Sequence, residues 1–375
     1  MREELYRSDD LLVRRVGSAG GTIVVTFASF TNTPDLDRPG FGEEFLEREG
    51  IDAIHVVNRL NRWYQHRDIP DMLAAIAAVT RDYDRVITYG SSMGGYAALR
   101  FARSLGADTA IALSPQHSVD PRVVPWETRW QPDIAQIEFD EIPFAPAPRQ
   151  YVFYDPHDIP DDRHVALIAA AGPVARIPLP HAGHPVGALL TETGALQWAL
   201  RAIAAGTFDP AEVRSKVRAG RRQSQHLYYT LAHRAAVRRP RLAITLLRKA
   251  IAITPESHIV SAMAVQMDRL GRREQAARLH ERAVLLTPSN SFAWMAYAAH
   301  LEQIGDPQGA SDALKAGSPG QSSSPLLLLR IQQLRTFLRR RNLHWLDRWF
   351  EALIRRMHGS RYEAAIMRQL GRWFG

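Results

Sequence analysis

Gly90-Ser91-Ser92-Met93-Gly94 puts Ser92 at the centre of a G-x-S-x-G pattern, between a β-branched run and an alanine-rich run. A serine hydroxyl attacks at neutral pH only when a base accepts its proton. The stretch "LPHAGHPVGALL" (179–190) offers two candidate bases, His181 and His184. His184, in A-G-H-x-V just before a helical pattern, is the expected base, and His181 is expected to shape the loop. The base in turn needs an orienting carboxylate. "YDPHDIPDDRHV" (154–165) carries Asp155, Asp158, Asp161 and Asp162. Asp155 ends a strand pattern, and Asp161 or Asp162 is expected to cap the next helix. That leaves Asp158, in the loop between, as the expected acid, with Asp155 and Asp162 in reserve. The chain order is then Ser92, Asp158, His184.

The chemistry requires a particular turn. A strand that breaks sharply into a helix holds its serine in a strained conformation, and flanking glycines let strand and helix approach. The helix N-terminus brings amide N–H groups and a positive dipole end to the reacting centre. Ser91 lacks the central position and is expected to be structural. The Asp/His cluster 155–164, with His181 and His184, has metal-ligand residue types but no helical H-x-x-x-H or H-E-x-x-H spacing, so neither metal nor cofactor is expected.

The elements that must position these residues alternate along the first half of the chain. Strand patterns occur at 22–27, 52–57, 85–90, 109–114, 150–155 and 173–179, with helical patterns at 71–81, 94–105, 161–171 and 187–204. Alternation of this kind marks a parallel sheet with crossover helices on both faces. "LLVRRV" (11–16) is expected to pair antiparallel at the edge. The Pro-rich stretch 115–149, with Trp126, Trp130 and Phe139, breaks the rhythm and is expected to form a lid or substrate wall.

With "GSSMGG", the acid loop and "HAGH" in this order, residues 20–204 resemble the α/β-hydrolase superfamily. The resemblance implies serine esterase-like chemistry and an oxyanion hole; the alternatives are acyl transfer to a glycan or other hydroxyl through the same acyl-enzyme, and a non-catalytic repeat scaffold with a vestigial hydrolase domain. One donor would be the amide of Met93. The second would be that of Ala28 or Ser29, in "VVTFASF", where many members carry a His-Gly pair. The segment "NRWYQHRD" (61–68) follows the second of these strands and is expected to overlook the same edge. Trp63 and Tyr64 could stack on a sugar or acyl chain there, and Gln65 could donate a hydrogen bond.

Beyond Gly206 the strand patterns stop and a repeat begins. Gly271 and Gly305 are 34 residues apart, as are Ala264 and Ala298, Met267 and Leu301, and Ala276 and Ala310. Ala243, Ala250 and Pro255 lie 33 residues before Ala276, Ala283 and Pro288. Residues 220–320 resemble tetratricopeptide repeats, in which small residues let antiparallel helices pack closely. The expected organisation is an α/β-hydrolase domain over 1–206 and an all-α helical-repeat domain over 207–375, closed by helices within 325–375.

Composition fits a globular chain, with 46% hydrophobic and 23% charged residues. The absence of cysteine rules out disulfides and thiolate metal sites. Residues 1–206 hold 27 acids against 19 arginines, whereas 207–375 hold 28 bases against 12 acids. The two halves are therefore different modules. No aromatic-interleaved basic motif accompanies the positive half, so nucleic acid is not an expected partner. A protein partner for the repeats and a small or glycan-linked ester for the serine are. With no signal-peptide pattern and no apolar run long enough to span a bilayer, a cytoplasmic location is expected.

Overall fold

A computed structural model of the chain describes residues 2–17, 21–32, 34–139, 146–318, 335 and 343. The closing helices expected within 325–375 fall almost wholly outside these residues. β-Branched and aromatic runs form strands β1 (Arg2–Arg7), β2 (Leu11–Val16), β3 (Thr22–Phe27), β4 (Asp52–Asn58), β5 (Arg85–Ser91), β6 (Thr109–Leu113), β7 (Arg149–Tyr154) and β8 (Ala175–Pro178). They make one sheet in the order β1-β2-β4-β3-β5-β6-β7-β8. β2 runs antiparallel to both its neighbours, and every other pairing is parallel. This is the mostly parallel sheet, with helices on both faces, that the alternating sequence implies. The edge position expected for 11–16 belongs instead to β1, whose charged sequence REELYR presents a row of ionic side chains on the exposed edge.

Both faces of the sheet are covered, as strands buried along nearly their whole length require, because successive side chains point to opposite faces. Ile23, Val25 and Phe27 of β3 pack on one side with Met72 and Ile76 of α2 (Ile69–Thr80; α1 is Glu43–Arg48). Ala97 and Leu99 of α3 (Met93–Arg100) join them, as do Val165 and Ile168 of α5 (Ile159–Ala171; α4 is the single turn Gln131–Ile134). Val24, Ile87, Tyr89 and Ile111 face the other way. They meet Leu46 of α1, Leu189 of α6 (Gly187–Glu192), and Ala199 and Ile203 of α7 (Ala195–Ala205). The helix expected over 187–204 is divided at Gly194, whose φ of 68° ends one helix and starts the next.

The topology decides where chemistry can occur. β3 and β5 are neighbours, but the chain leaves β3 towards β4 and leaves β5 towards β6, so the strand order reverses between them. Ligands in such sheets bind beyond the carboxyl ends of the strands at this reversal. Ser29 and Ser92 follow β3 and β5 there, and the Ser29 hydroxyl donates to the Ser91 carbonyl at 2.8 Å.

The chain divides into two units, after Thr230 rather than at 206. Helix α8 (Pro210–Gly220) belongs to the first unit because Val213 is buried in the sheet's second core. The first turn of α9 (Gln225–Ala235) stays there too, since the Ser224 hydroxyl donates to Glu192 and His226 Nε2 meets the Ala182 carbonyl at 2.7 Å. The second unit contains α10 (Pro240–Ile253), α11 (Ser257–Arg269), α12 (Arg273–Leu286), α13 (Ser291–Gln303) and α14 (Pro307–Ala316). Ala243, Ala250, Ala264, Ala276, Ala283, Ala298 and Ala310 are all buried. Gly271 and Gly305 turn the chain between paired helices at φ values of 72° and 82°. Among the described residues no helix is long and apolar enough to cross a membrane.

Candidate active site

Ser92 stands between β5 and α3 with φ 51° and ψ −118°. Holding a non-glycine residue there costs about 1–3 kcal/mol, which the surrounding structure must supply. A Cβ on Gly90 would collide with the Gly94 carbonyl, and one on Gly94 with the Phe27 carbonyl. The glycines are therefore the condition for bringing α3 against β3 and β5. The Ser92 amide donates to the Leu113 carbonyl at 2.8 Å, fastening the turn to β6.

Ser92 Oγ lies 3.0 Å from Nε2 of His184, and His184 Nδ1 lies 2.9 and 2.8 Å from the two carboxylate oxygens of Asp161. An ionised carboxylate only accepts, so Nδ1 carries the proton and the lone pair of Nε2 faces the serine hydroxyl. Burial pushes the Asp161 pKa up, but the hydrogen bond and charge of His184 and the Arg129 guanidinium prevail and hold it below the ordinary value. Asp161 is thus an anion inside the protein, with no exposed surface.

The acid at His184 is Asp161, not Asp158. Helix α5 begins at Ile159, with Pro160 in its first turn, two residues before the expected start at 161. Asp158 consequently becomes the N-cap, its Oδ1 accepting from the Asp161 amide at 3.2 Å. Asp161 falls on the inward face of the first turn. Asp155 is also buried, but its carboxylate accepts from the amides of His157, His181 and Gly183 at 2.9, 3.1 and 2.8 Å and so shapes the histidine loop. Asp162 is exposed. His181, at φ 67°, stacks on His157 with ring centroids 4.5 Å apart.

The expected oxyanion donors separate as well. The Ala28 amide donates to the Val56 carbonyl at 2.9 Å, so the sheet already uses it. Met93 is the first residue of α3, where an amide has no intrahelical acceptor, and Ser29 lies beyond the β3–β4 ladder.

Trp63 and Tyr64 are 0% and 1% exposed, so neither presents a face to a substrate, contrary to the stacking role expected of them. Both have positive φ, 47° and 56°. The Tyr64 hydroxyl donates to the Ala28 carbonyl at 2.8 Å, and the Trp63 indole N–H to Gln116 Oε1 at 3.0 Å. Gln65 donates to the Tyr96 hydroxyl at 2.8 Å and is half-buried.

The insertion supplies residues that sequence reading did not single out. Gln116 Nε2 lies 3.3 Å from Ser92 Oγ. Arg129 Nη1 donates to Asp161 at 2.9 Å, while its Nη2 and Nε donate to Glu127 at 2.6 and 3.0 Å. Glu127 also meets His164 Nε2 at 3.0 Å, and His164 Nδ1 accepts from the His117 amide at 3.2 Å. Trp126 packs on the His164 ring at 4.7 Å, and Trp130 on those of His184, Trp63 and Phe30 at 5.9, 5.7 and 5.3 Å. The described part of the insertion is therefore braced against His184 and Asp161. Phe139 packs at the edge of the first core.

No protein-family model matches the chain, and no curated protein matches it. Several solved structures do. The capsule O-acetyltransferase of Neisseria meningitidis serogroup A is 11% identical, covering 52% of this chain and 94% of its own, at a TM-score of 0.35. A fluorophosphonate-binding serine hydrolase of Staphylococcus aureus is 11% identical over 58% and 97%, at 0.36. Dienelactone hydrolase from Anabaena variabilis is 16% identical over 54% and 96%, at 0.34. Likeness of this degree bears on neither activity nor substrate.

Proposed function

We propose that the first unit is a serine hydrolase that cleaves a carboxylic ester through an acyl-enzyme. The observation carrying this reading is the continuous line from Ser92 Oγ through His184 to Asp161, mounted on a strained strand–helix turn. Ser92 Oγ forms a bond to the ester carbonyl carbon while its proton passes to His184 Nε2. The carbonyl oxygen takes the negative charge, facing the amides of Met93 and Ser29, and each such donor contributes on the order of 3 kcal/mol in the transition state. The alkoxy C–O bond then breaks, and the leaving oxygen takes the proton from His184. Water repeats the sequence: it gives a proton to His184, attacks the acyl carbon and releases the acid, and Ser92 Oγ recovers its proton. Asp161 remains ionised throughout and holds the imidazolium. The helical repeats of the second unit serve to recruit a protein partner or the carrier of the ester.

A fluorophosphonate probe should label the wild-type chain and spare Ser92→Ala, and p-nitrophenyl esters of graded chain length should be turned over only by the former. Equal labelling of both proteins would sink the assignment.

A further inference from the structure

We propose that Gln116 is a further catalytic residue of this site, a side-chain donor that carries negative charge on Ser92 Oγ itself. The inference rests on the Ser92 reading above and extends it to the other end of the reacting bond. Main-chain amides at an oxyanion hole stabilise the carbonyl oxygen. They do nothing directly for Oγ, which acquires charge twice: as its proton leaves during attack, and as it departs from the acyl carbon during deacylation.

The geometry places one donor at that atom. Gln116 Nε2 lies 3.3 Å from Ser92 Oγ, and the residue is 1% exposed. Which end of the carboxamide faces the serine follows from its other neighbour. The indole N–H of Trp63, 3.0 Å from Gln116 Oε1, is a donor and nothing else, so the carbonyl end must face it. The NH2 end is thereby turned to Ser92, with the Ser114 carbonyl 3.5 Å from the same nitrogen. Ser92 Oγ then accepts from Gln116 and donates to His184, which leaves each of the three groups in a compatible role. Trp63 is the positioning residue. Its ring has no exposed surface and packs on Phe30 and Trp130 at 6.4 and 5.7 Å, so the indole cannot swing away.

The left-handed backbone of Trp63 and Tyr64 acquires a purpose on this account. Consecutive non-glycine residues at φ 47° and 56° are costly, and such strain persists where function selects it. The pair directs one polar tip to Gln116 and the other to the Ala28 carbonyl, one residue before Ser29. A single strained corner therefore orients both the donor to Oγ and the loop that offers an amide to the carbonyl oxygen.

The test uses the full chain with a p-nitrophenyl ester, resolving the acylation burst from steady-state turnover. Gln116→Met keeps the bulk and removes the donor. Trp63→Phe keeps an aromatic ring and removes the N–H that fixes the amide. Thermal melting and fluorophosphonate labelling show whether each variant is folded and retains its serine. We expect Gln116→Met to lose about ten- to a hundredfold in both acylation and deacylation rate, with KM changed less than about threefold. We expect Trp63→Phe to lose a smaller factor in kcat, again at nearly constant KM. A folded Gln116→Met protein with wild-type rates, or one altered only in KM, would overturn the proposal. Wild-type protein without Ser92-dependent labelling would instead bring down the Ser92 reading, and this proposal with it.

Discussion

Two aspartates three residues apart do different work at the start of α5. Asp158 caps α5, and Asp161 meets His184 from within the first turn. Replacing Asp161 by Asn keeps the shape but lets the imidazole adopt the wrong tautomer, and we expect kcat to fall by roughly 10³–10⁴-fold. Asp158→Ala should instead cost about 0.5–2 kcal/mol of stability, through the lost cap, and leave kcat within a few fold. Urea unfolding and steady-state kinetics on the two variants read both effects, and the opposite pattern would return the acid to Asp158. That Ser92 and His184 come together was legible because each sits in a short local pattern. The acid was not, because four aspartates crowd into eight residues and a two-residue shift in the helix start reverses their roles. Gln116 carries no pattern at all: only the folded chain brings it to Ser92.

The same contrast holds for whole elements. Seven strands were legible from their apolar and β-branched runs, and β1 was not, because its charged residues leave only Leu5 and Tyr6 between them and give no apolar face to read. Helices α11, α12 and α13 were legible from their alanine spacing, but not what joins them. Asp268 on α11 meets His280 Nε2 of α12 at 2.9 Å and His300 Nδ1 of α13 at 2.6 Å. Among the described residues these three form the group whose ligand atoms, within 4.8 Å of one another, could surround a metal. Metal-bound imidazoles pass their protons to the far nitrogens and need partners there. Among the described residues, buried His280 Nδ1 and His300 Nε2 have no hydrogen-bond partner, which fits two imidazoles donating directly to a shared carboxylate instead. The carboxylate is then the tie between three helices. Asp268→Ala should lower the unfolding free energy of the second unit by on the order of 3 kcal/mol for two lost charge-assisted bonds, read as a lower urea midpoint. An unchanged midpoint would show that the alanine packing alone holds the repeats.

At the scale of the whole molecule, buried histidines set a common response to acid. Burial pulls the His55 pKa down to about 4, helped by Arg14 and Arg2 and opposed by the Glu43 carboxylate. Burial also pulls His117 down to about 4, and Arg100 and His164 act in the same direction. His164 and His280 are lowered too, again chiefly by burial and against the pull of Glu127 and Asp268 respectively. The folded chain therefore keeps these rings neutral at pH values where an unfolded chain, with pKa values near 6.5, takes up protons. Unfolding binds protons below that value, so stability present above pH 6.5 is lost as the pH falls towards 4. Each proton taken up contributes a slope of about 1.4 kcal/mol per pH unit. Glu127 and Asp161 extend the loss in the same direction at lower pH, since their lowered pKa values favour the folded state only while they remain ionised. Melting followed between pH 8 and pH 4.5 should be nearly flat above 7 and should decline below 6.5. Both units should take part, because His55, His117 and His164 lie in the first and His280 in the second. A first-unit transition that held its temperature down to pH 5 would mean that these rings find water or partners on protonation, and that the first core tolerates charge at His55.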